Sequence, residues 1–316
     1  MPESRGSHLF AVLSLAAIAL IWAGGFPATK YCLQAGLSVG AILSIRFAIG
    51  TAGLGLMLAL LRVPFRRRAV LDGLWLGLVL ATLFWLQTDG LRFTTTSKSG
   101  FITGLYVIFT PMVALLAGDR LRPLHVLGAL VALAGLALLV RDPGSAWGGW
   151  NRGDSETFLA AVLCGFHIVM TAHFSRRSSG WVLAFVQVAV TGAVSLAITL
   201  ALPAPFGFQA AGQALAQGGV WLALGFMGLL ATTLAFYVQS TMQARLGATE
   251  CAIIFSSEPV WTALLAISGW IPGIREHLSP IQLMGGGLIL SANLLAELGP
   301  RLVRRFRAIE PEDAIG

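Results

Sequence analysis

Apolar residues run in long blocks along this chain, and polar residues are confined to the short stretches between them. Ten blocks read as membrane helices: residues 9–33, 39–61, 70–91, 99–118, 122–140, 156–175, 181–202, 218–240, 249–270 and 281–298. A helix needs about 20 mostly apolar residues to cross about 30 Å of hydrocarbon. The first block follows Arg5 as a signal peptide would. It continues through Phe26 to Leu33, longer than a signal's apolar stretch, and is read as the first helix.

Composition agrees with the pattern. Of 316 residues, 56% are hydrophobic and 11% charged, where a soluble domain carries about 25% charged residues. Little chain is left for a soluble unit, so the reading is one membrane domain whose surroundings are the lipid bilayer. The net charge of +7 does not indicate nucleic acid, because the basic residues sit in small clusters between spans. With the N-terminus in the cytoplasm, that side collects Arg5, Arg62, Arg66, Arg67, Arg68, Arg120, Arg122, Arg176, Arg177, Arg245, Arg301, Arg304, Arg305 and Arg307. The other side holds only Arg92, Lys98, Arg141, Arg152 and Arg275. The bias places both termini inside.

Many of the 37 glycines lie within apolar blocks, as at Gly73, Gly77, Gly100 and Gly104. Small residues let membrane helices approach closely. Packing within the chain is the leading reading, and a homodimer through one such face is the lesser one. Cys32, Cys164 and Cys251 have no CxxC spacing and lie in or beside apolar runs, which argues against a disulfide framework or a structural zinc site. No metal and no cofactor is expected.

An internal repeat organises the blocks. Asp119-Arg-Leu-Arg-Pro123-Leu-His-Val-Leu-Gly128 matches Glu276-His-Leu-Ser-Pro280-Ile-Gln-Leu-Met-Gly285. Each copy follows an apolar span interrupted by one proline, Pro111 or Pro259. The acid and the proline are expected at the start of the next helix, where the dipole favours negative charge and a missing N–H costs nothing. The charge count puts the first copy inside and the second outside, so the second set of five spans is inverted. The seam is the Gly-rich loop 141–155, giving units of residues 1–145 and 146–316. Inverted repeats mark secondary transporters, with substrate held near the midplane between halves. The uncharged loop 203–217 is read as re-entrant or interfacial.

The order and spacing of several motifs resemble the drug/metabolite transporter superfamily in its EamA-type branch, over nearly the whole chain. They are Trp22-Ala-Gly-Gly-Phe-Pro-Ala-Thr-Lys30, Arg46, Phe101-Ile-Thr-Gly-Leu-Tyr-Val-Ile-Phe-Thr-Pro111, Glu258-Pro259 and the paired acid-to-Gly motifs. The resemblance implies an all-α membrane fold of ten helices in a 5+5 inverted repeat. Spans 1–4 and 6–9 would surround a central cavity, with spans 5 and 10 peripheral. It also implies transport of small metabolites, often export of amino acids or related compounds across a bacterial cytoplasmic membrane. The chain departs from the pattern in having Asp119 where Glu is common, and in a sixth span without the first span's Trp and Lys.

Glu258 is the sharpest functional candidate, since a charge deep in a span costs about 3 kcal/mol and Pro259 opens the helix beside it. It is read as a substrate or proton-coupling group, with protonated or paired packing as the bland alternative. His167 is a possible proton relay by its ordinary titration range, against a hydrogen-bonded core histidine. Arg46 and Lys30 either meet a carboxylate or snorkel. Trp22, Trp85, Phe101, Tyr106, Tyr237 and Trp261 are candidate cavity aromatics, suited to amphipathic and cationic groups. Pro111 and Pro259 are candidate helix breaks. Gln87, Asp89, Gln187 and Asn293 are explained by interhelical hydrogen bonds.

The leading function is a secondary transporter working by alternating access, with no catalytic residues. A channel-like or uncoupled permease is the alternative. A membrane enzyme is less favoured, because the chain has neither HExxH nor GxSxG. Without a GxxxxGK[ST] loop, an ATP-driven pump is also disfavoured.

Overall fold

The structure, a computed structural model, describes residues 5–116, 123–139, 149–203, 206–208, 211–246 and 248–307. Among these residues the chain is helical, with no strand. The long helices are α1 (Arg5–Gln34), α2 (Val39–Leu61) and α3 (Arg67–Gly90). A broken span follows as α4 (Thr96–Thr103) and α5 (Tyr106–Leu116), then α6 (Pro123–Leu139). The second part has α7 (Arg152–Ser175), α8 (Gly180–Ala201) and the short α9 (Ala211–Leu215). Next come α10 (Gly218–Gly225), a π-helical stretch Phe226–Leu234 and α11 (Ala235–Met242), which together form one rod. A second broken span, α12 (Ala248–Phe255) and α13 (Glu258–Ser268), precedes α14 (Pro280–Arg307).

Among the described residues, seven helical stretches are long and apolar enough to cross a membrane, over residues 6–34, 39–61, 67–90, 96–115, 152–175, 180–201 and 218–245. The protein is therefore a multi-pass membrane protein. The fifth and tenth predicted spans contribute shorter apolar stretches, Val126–Leu138 and Pro280–Ala292. The ninth is divided between α12 and α13. Among the described residues, seven of the ten expected spans are thus long enough on their own.

Local chemistry sets the ends. Ser38 caps α2 by accepting from the Ala41 N–H at 3.1 Å. Arg62 closes the same helix in the left-handed region at φ 50°. There Val63 N–H bonds Leu58 O and Arg62 N–H bonds Ala59 O, the pair that satisfies orphan carbonyls at a helix end. A capping box of Asn151 and Asp154 starts α7.

Glycines set the close approaches. A Cβ on Gly73 would lie 2.6 Å from Val186 Cβ, and one on Gly77 would lie 2.6 Å from Val190 Cβ, so α3 presses flat on α8. Gly100 and Gly104 face Thr262 and Pro259 across the α4–α13 contact. Both glycine pairs thus meet a helix of the same chain. α6 and α14 pack against each other most extensively, and Gly135 meets the Gly285 carbonyl there.

Two expectations need correcting. Pro111 does not break its span: it lies inside α5, and the break falls earlier, at Gly104–Leu105. The second break lies at Ser256–Ser257, and Pro259 stands in the first turn of α13, where no N–H is missed. Nor does Glu276 cap its own following helix. Ser279 and Gln282 do that reciprocally at the start of α14. Glu276 instead accepts from Thr96 N–H at 2.6 Å and Ser97 N–H at 2.9 Å, capping α4 in the other half of the chain.

Asp119, Arg120, Arg122 and Arg141, with most of the 141–155 seam, lie outside the described residues. The described part of loop 203–217 folds over the ends of α1 and α2. There Ala211 and Ala214 pack with Cys32, Leu37 and Ala41, and Ser38 Oγ donates to Phe206 O at 3.3 Å.

Candidate functional site

A cavity of about 80 Å³ lies among α1, α2, α3, α7, α11 and the two helix breaks. Helical period explains its walls. Trp22, Gly25, Phe26 and Thr29 form one face of α1, spaced so that they stack on successive turns. Leu80, Leu83, Phe84, Gln87 and Thr88 do the same on α3, and Leu91 follows at its C-terminal end. Cys164, His167 and Ile168 come from α7, and Phe236 and Gln239 from α11. Each break contributes one residue before it and one after it: Thr103 and Tyr106, Phe255 and Glu258.

The walls are aromatic. Trp22 meets Phe255 at 5.2 Å edge to face and Phe236 at 5.8 Å. Its indole N–H donates to Ala231 O at 3.0 Å, inside the π-helical stretch. Phe84 stands 6.3 Å from Phe236.

Two charged side chains reach this apolar space from different elements. Arg46 is buried. Its Nε donates to Thr232 Oγ1 at 3.0 Å, and its guanidinium lies 4.4 Å from the Phe84 ring centre and 5.4 Å from that of Phe47. Glu258 begins α13, where the helix dipole favours a carboxylate. It accepts from Tyr106 O–H at 3.4 Å. Among the described residues neither Arg46 nor Glu258 has an ion-pair partner. Among the described residues, the Oε1 atom of Gln239, also buried, has no hydrogen-bond partner. An unpaired buried acceptor costs about 1–3 kcal/mol, so this oxygen is poised for a donor. The site therefore offers a cation, acceptors and aromatic faces to one occupant.

His167 lines the cavity but is engaged: its Nε2 lies 2.8 Å from Gln187 Oε1, and Gln187 donates on to Ser240 Oγ at 3.0 Å. Trp22, Arg46, Tyr106, His167 and Glu258 are thus brought together. Lys30, Trp85, Phe101, Tyr237 and Trp261 are placed elsewhere. Trp85 and Tyr237 directly follow cavity residues Phe84 and Phe236, and one residue rotates a side chain about 100° around a helix. Trp85 accordingly bonds Ser195 Oγ at 3.1 Å, and Tyr237 stacks on Trp181 at 3.8 Å. Phe101 packs against Gly286 of α14, and Trp261 is 41% exposed on the outside. Lys30 donates to Leu91 O at 2.6 Å and Thr94 O at 2.9 Å, tying α1 to the end of α3.

Gln239, Phe236, Phe255 and Thr103 were not singled out in the sequence. Counting three and four residues from Glu258, Tyr106 and a first wall residue on each helix would have found most of them.

A buried network closes the face where α4 and α7 begin. Lys98 Nζ donates to Asp154 Oδ2 at 2.6 Å and to Gly149 O at 2.7 Å. Asp154 also accepts from Thr94 Oγ1 at 2.7 Å and Asn151 N–H at 2.8 Å. Beside it, Asp89 bridges Arg92 and Arg152, each at 2.7 Å.

Comparison with known proteins is consistent with a transport site. The profile of the EamA-like transporter family matches residues 9–141 and 151–297. An uncharacterized transporter of Archaeoglobus fulgidus is 32% identical over 92% of this chain and 87% of its own length. The aromatic amino acid exporter YddG of Ancylobacter novellus is 28% identical over 66% of this chain and 70% of its own. One crystal structure superposes with a TM-score of 0.66 at 22% identity, covering 95% of this chain and 99% of that one, which speaks for the fold alone.

Proposed function

The chain belongs to the EamA-like transporter family, and from that premise we propose that it is a secondary transporter of zwitterionic amphipathic metabolites. Aromatic amino acids are the leading class and export the direction. The observation that carries the reading is the pairing of Arg46 with Glu258 in one aromatic cavity, neither of them tied to another charge. Arg46 suits a substrate carboxylate, and Glu258 with Gln239 Oε1 suits an ammonium group. Trp22, Phe84, Phe236 and Phe255 suit a flat apolar side chain. The aromatic amino acid exporter among its relatives supports this choice. Most ligand pockets measure about 300–1,000 Å³, so the present cavity of about 80 Å³ widens to admit substrate. That is the behaviour of a site that opens to one face at a time.

The ten-span 5+5 arrangement is part of the proposal. It is supported by the broken spans: 8 helical residues, a two-residue break and 11 helical residues in both α4–α5 and α12–α13. Tyr106 and Glu258 open the second piece of each and touch one another. Exchanging halves also exchanges contacts. α2 packs on α8 and α6 on α14, while α3 and α5 flank α7 as the α10–α11 rod and α13 flank α1. The basic clusters support a bacterial cytoplasmic membrane with both termini inside.

Counterflow in proteoliposomes is the test. Labelled phenylalanine should accumulate when unlabelled phenylalanine is preloaded, with Arg46→Gln and Glu258→Gln each lowering the rate at least tenfold. Uptake without trans-stimulation would favour a channel-like permease instead. Proton coupling through Glu258 requires that Glu258→Gln flatten the pH dependence of the residual rate.

A further inference from the structure

The outer flank of α1 holds a second space. A groove of about 520 Å³ runs between α1, α10 and α13. Leu20, Ile21, Ala28, Leu222, Ala223 and Phe226 give it an apolar wall. Leu20 and Leu222 stay 46% and 78% exposed, so the groove opens sideways to the bilayer. It ends where α1 finishes and α10 begins, at Tyr31, Gly219 and the Ile271–Pro272 turn.

In the other half the matching helix is closely packed among the described residues. There α7 is flanked by α3 and α5, and Gly165 and Gly153 draw the backbones together. A Cβ on Gly165 would lie 3.0 Å from both Phe109 Cβ and Thr110 N, and Gly153 faces the Gly90 carbonyl. Across the groove Gly24 meets the ring of Phe226 and Gly219 the hydroxyl of Tyr31, side chains rather than backbone. Apolar walls with nothing against them forfeit their dispersion contacts. In hydrocarbon the available filler is an acyl chain.

A charge follows the turn that ends the groove. The Ile274 N–H bonds Ile271 O at 3.0 Å, closing the turn that Arg275 follows in the chain. Arg275 is exposed, its stem lies along Gly269, and among the described residues no carboxylate is within ion-pair distance. A planar guanidinium with no ion pair among the described residues matches a phosphate.

We propose that the groove is a phospholipid site: one acyl chain lies between α1, α10 and α13, and the phosphate of an anionic headgroup rests on Arg275. The site is distinct from the central cavity, yet it braces the same helix. Gly24 faces the groove while Gly25 faces the cavity. Pro27 carries no N–H for Ala23 O, and the only hydroxyl reaching that carbonyl among the described residues is Thr262 of α13, at 3.5 Å. A lipid chain here would support α1 where its own ladder is weakest.

The test uses the full chain in phosphatidylcholine vesicles doped with phosphatidylglycerol bearing a diazirine midway along one acyl chain. After illumination, adducts are mapped by peptide mass spectrometry. They should concentrate on residues 20–31 and 219–226, and Ala223→Trp, which fills the groove, should deplete them at least fivefold. Arg275→Gln is an exposed change that leaves packing alone. It should reduce capture of the phosphatidylglycerol probe at least threefold, to the level of a matching phosphatidylcholine probe. Adducts spread evenly over the lipid-facing leucines, or equal capture of both probes by the unmodified protein, would overturn the proposal.

Discussion

Lys98 and Glu250 are the third residues of α4 and α12, and each pairs with a residue at the start of another helix, Asp154 of α7 and His8 of α1. The two pairs occupy matching positions in the two halves with acid and base exchanged. Their surroundings differ. Lys98 and Asp154 are 1% and 0% exposed, and a carbonyl, a hydroxyl and a backbone N–H add to their bonding. His8 and Glu250 are 49% and 21% exposed, and their neighbour Arg245 reaches across to Ser7 Oγ at 3.0 Å. One face is thus closed by buried, directional bonds and the other by a solvated contact. Buried pairs are costly to break, whereas exposed pairs are worth little. On the proposed cycle, the face near His8 is the one that opens at lower cost.

The largest effect follows from breaking the buried pair on one side only. Lys98→Met leaves Asp154 buried without its cation, and thermal unfolding in detergent should register a loss of about 3–5 kcal/mol. The double change Lys98→Met with Asp154→Leu should recover most of that loss. If the double variant is no more stable than the single one, the pair is not what closes this face. Glu276→Gln comes next. It removes the charge from the α4 N-terminus but keeps an acceptor, and should cost about 1 kcal/mol in the same assay. Glu250→Gln should be the mildest, under about 1 kcal/mol. A larger effect for Glu250→Gln than for Lys98→Met would reverse the ranking of the two faces.

Most of the long helices could be read from hydropathy, because a bilayer demands about 20 apolar residues per crossing. What the residues did not disclose was long-range. Glu276 was expected to serve its own helix, but its partners Thr96 and Ser97 lie about 180 residues earlier. The breaks were expected at the prolines. Pro111 continues a helix and Pro259 begins one, while Gly104 and Ser256 mark the interruptions. Two aromatic candidates, Trp85 and Tyr237, miss the cavity by rotation alone: their neighbours Phe84 and Phe236, not singled out in the sequence, face it instead. Arg46 and Glu258 were legible as unusual charges in apolar spans. That they share one cavity was not, because no local pattern links residues 46 and 258.

Cys164 lines that cavity, while Cys32 and Cys251 are buried elsewhere, which provides a direct reporter. With Cys32 and Cys251 replaced by alanine, the rate of maleimide labelling at Cys164 can be followed as ligands are added. Phenylalanine should slow labelling at least threefold, whereas N-acetylphenylalanine and phenylalanine amide, each lacking one of the two charges, should have little effect. Equal protection by all three, or none by phenylalanine, would contradict a cavity built to hold a zwitterion between Arg46 and Glu258.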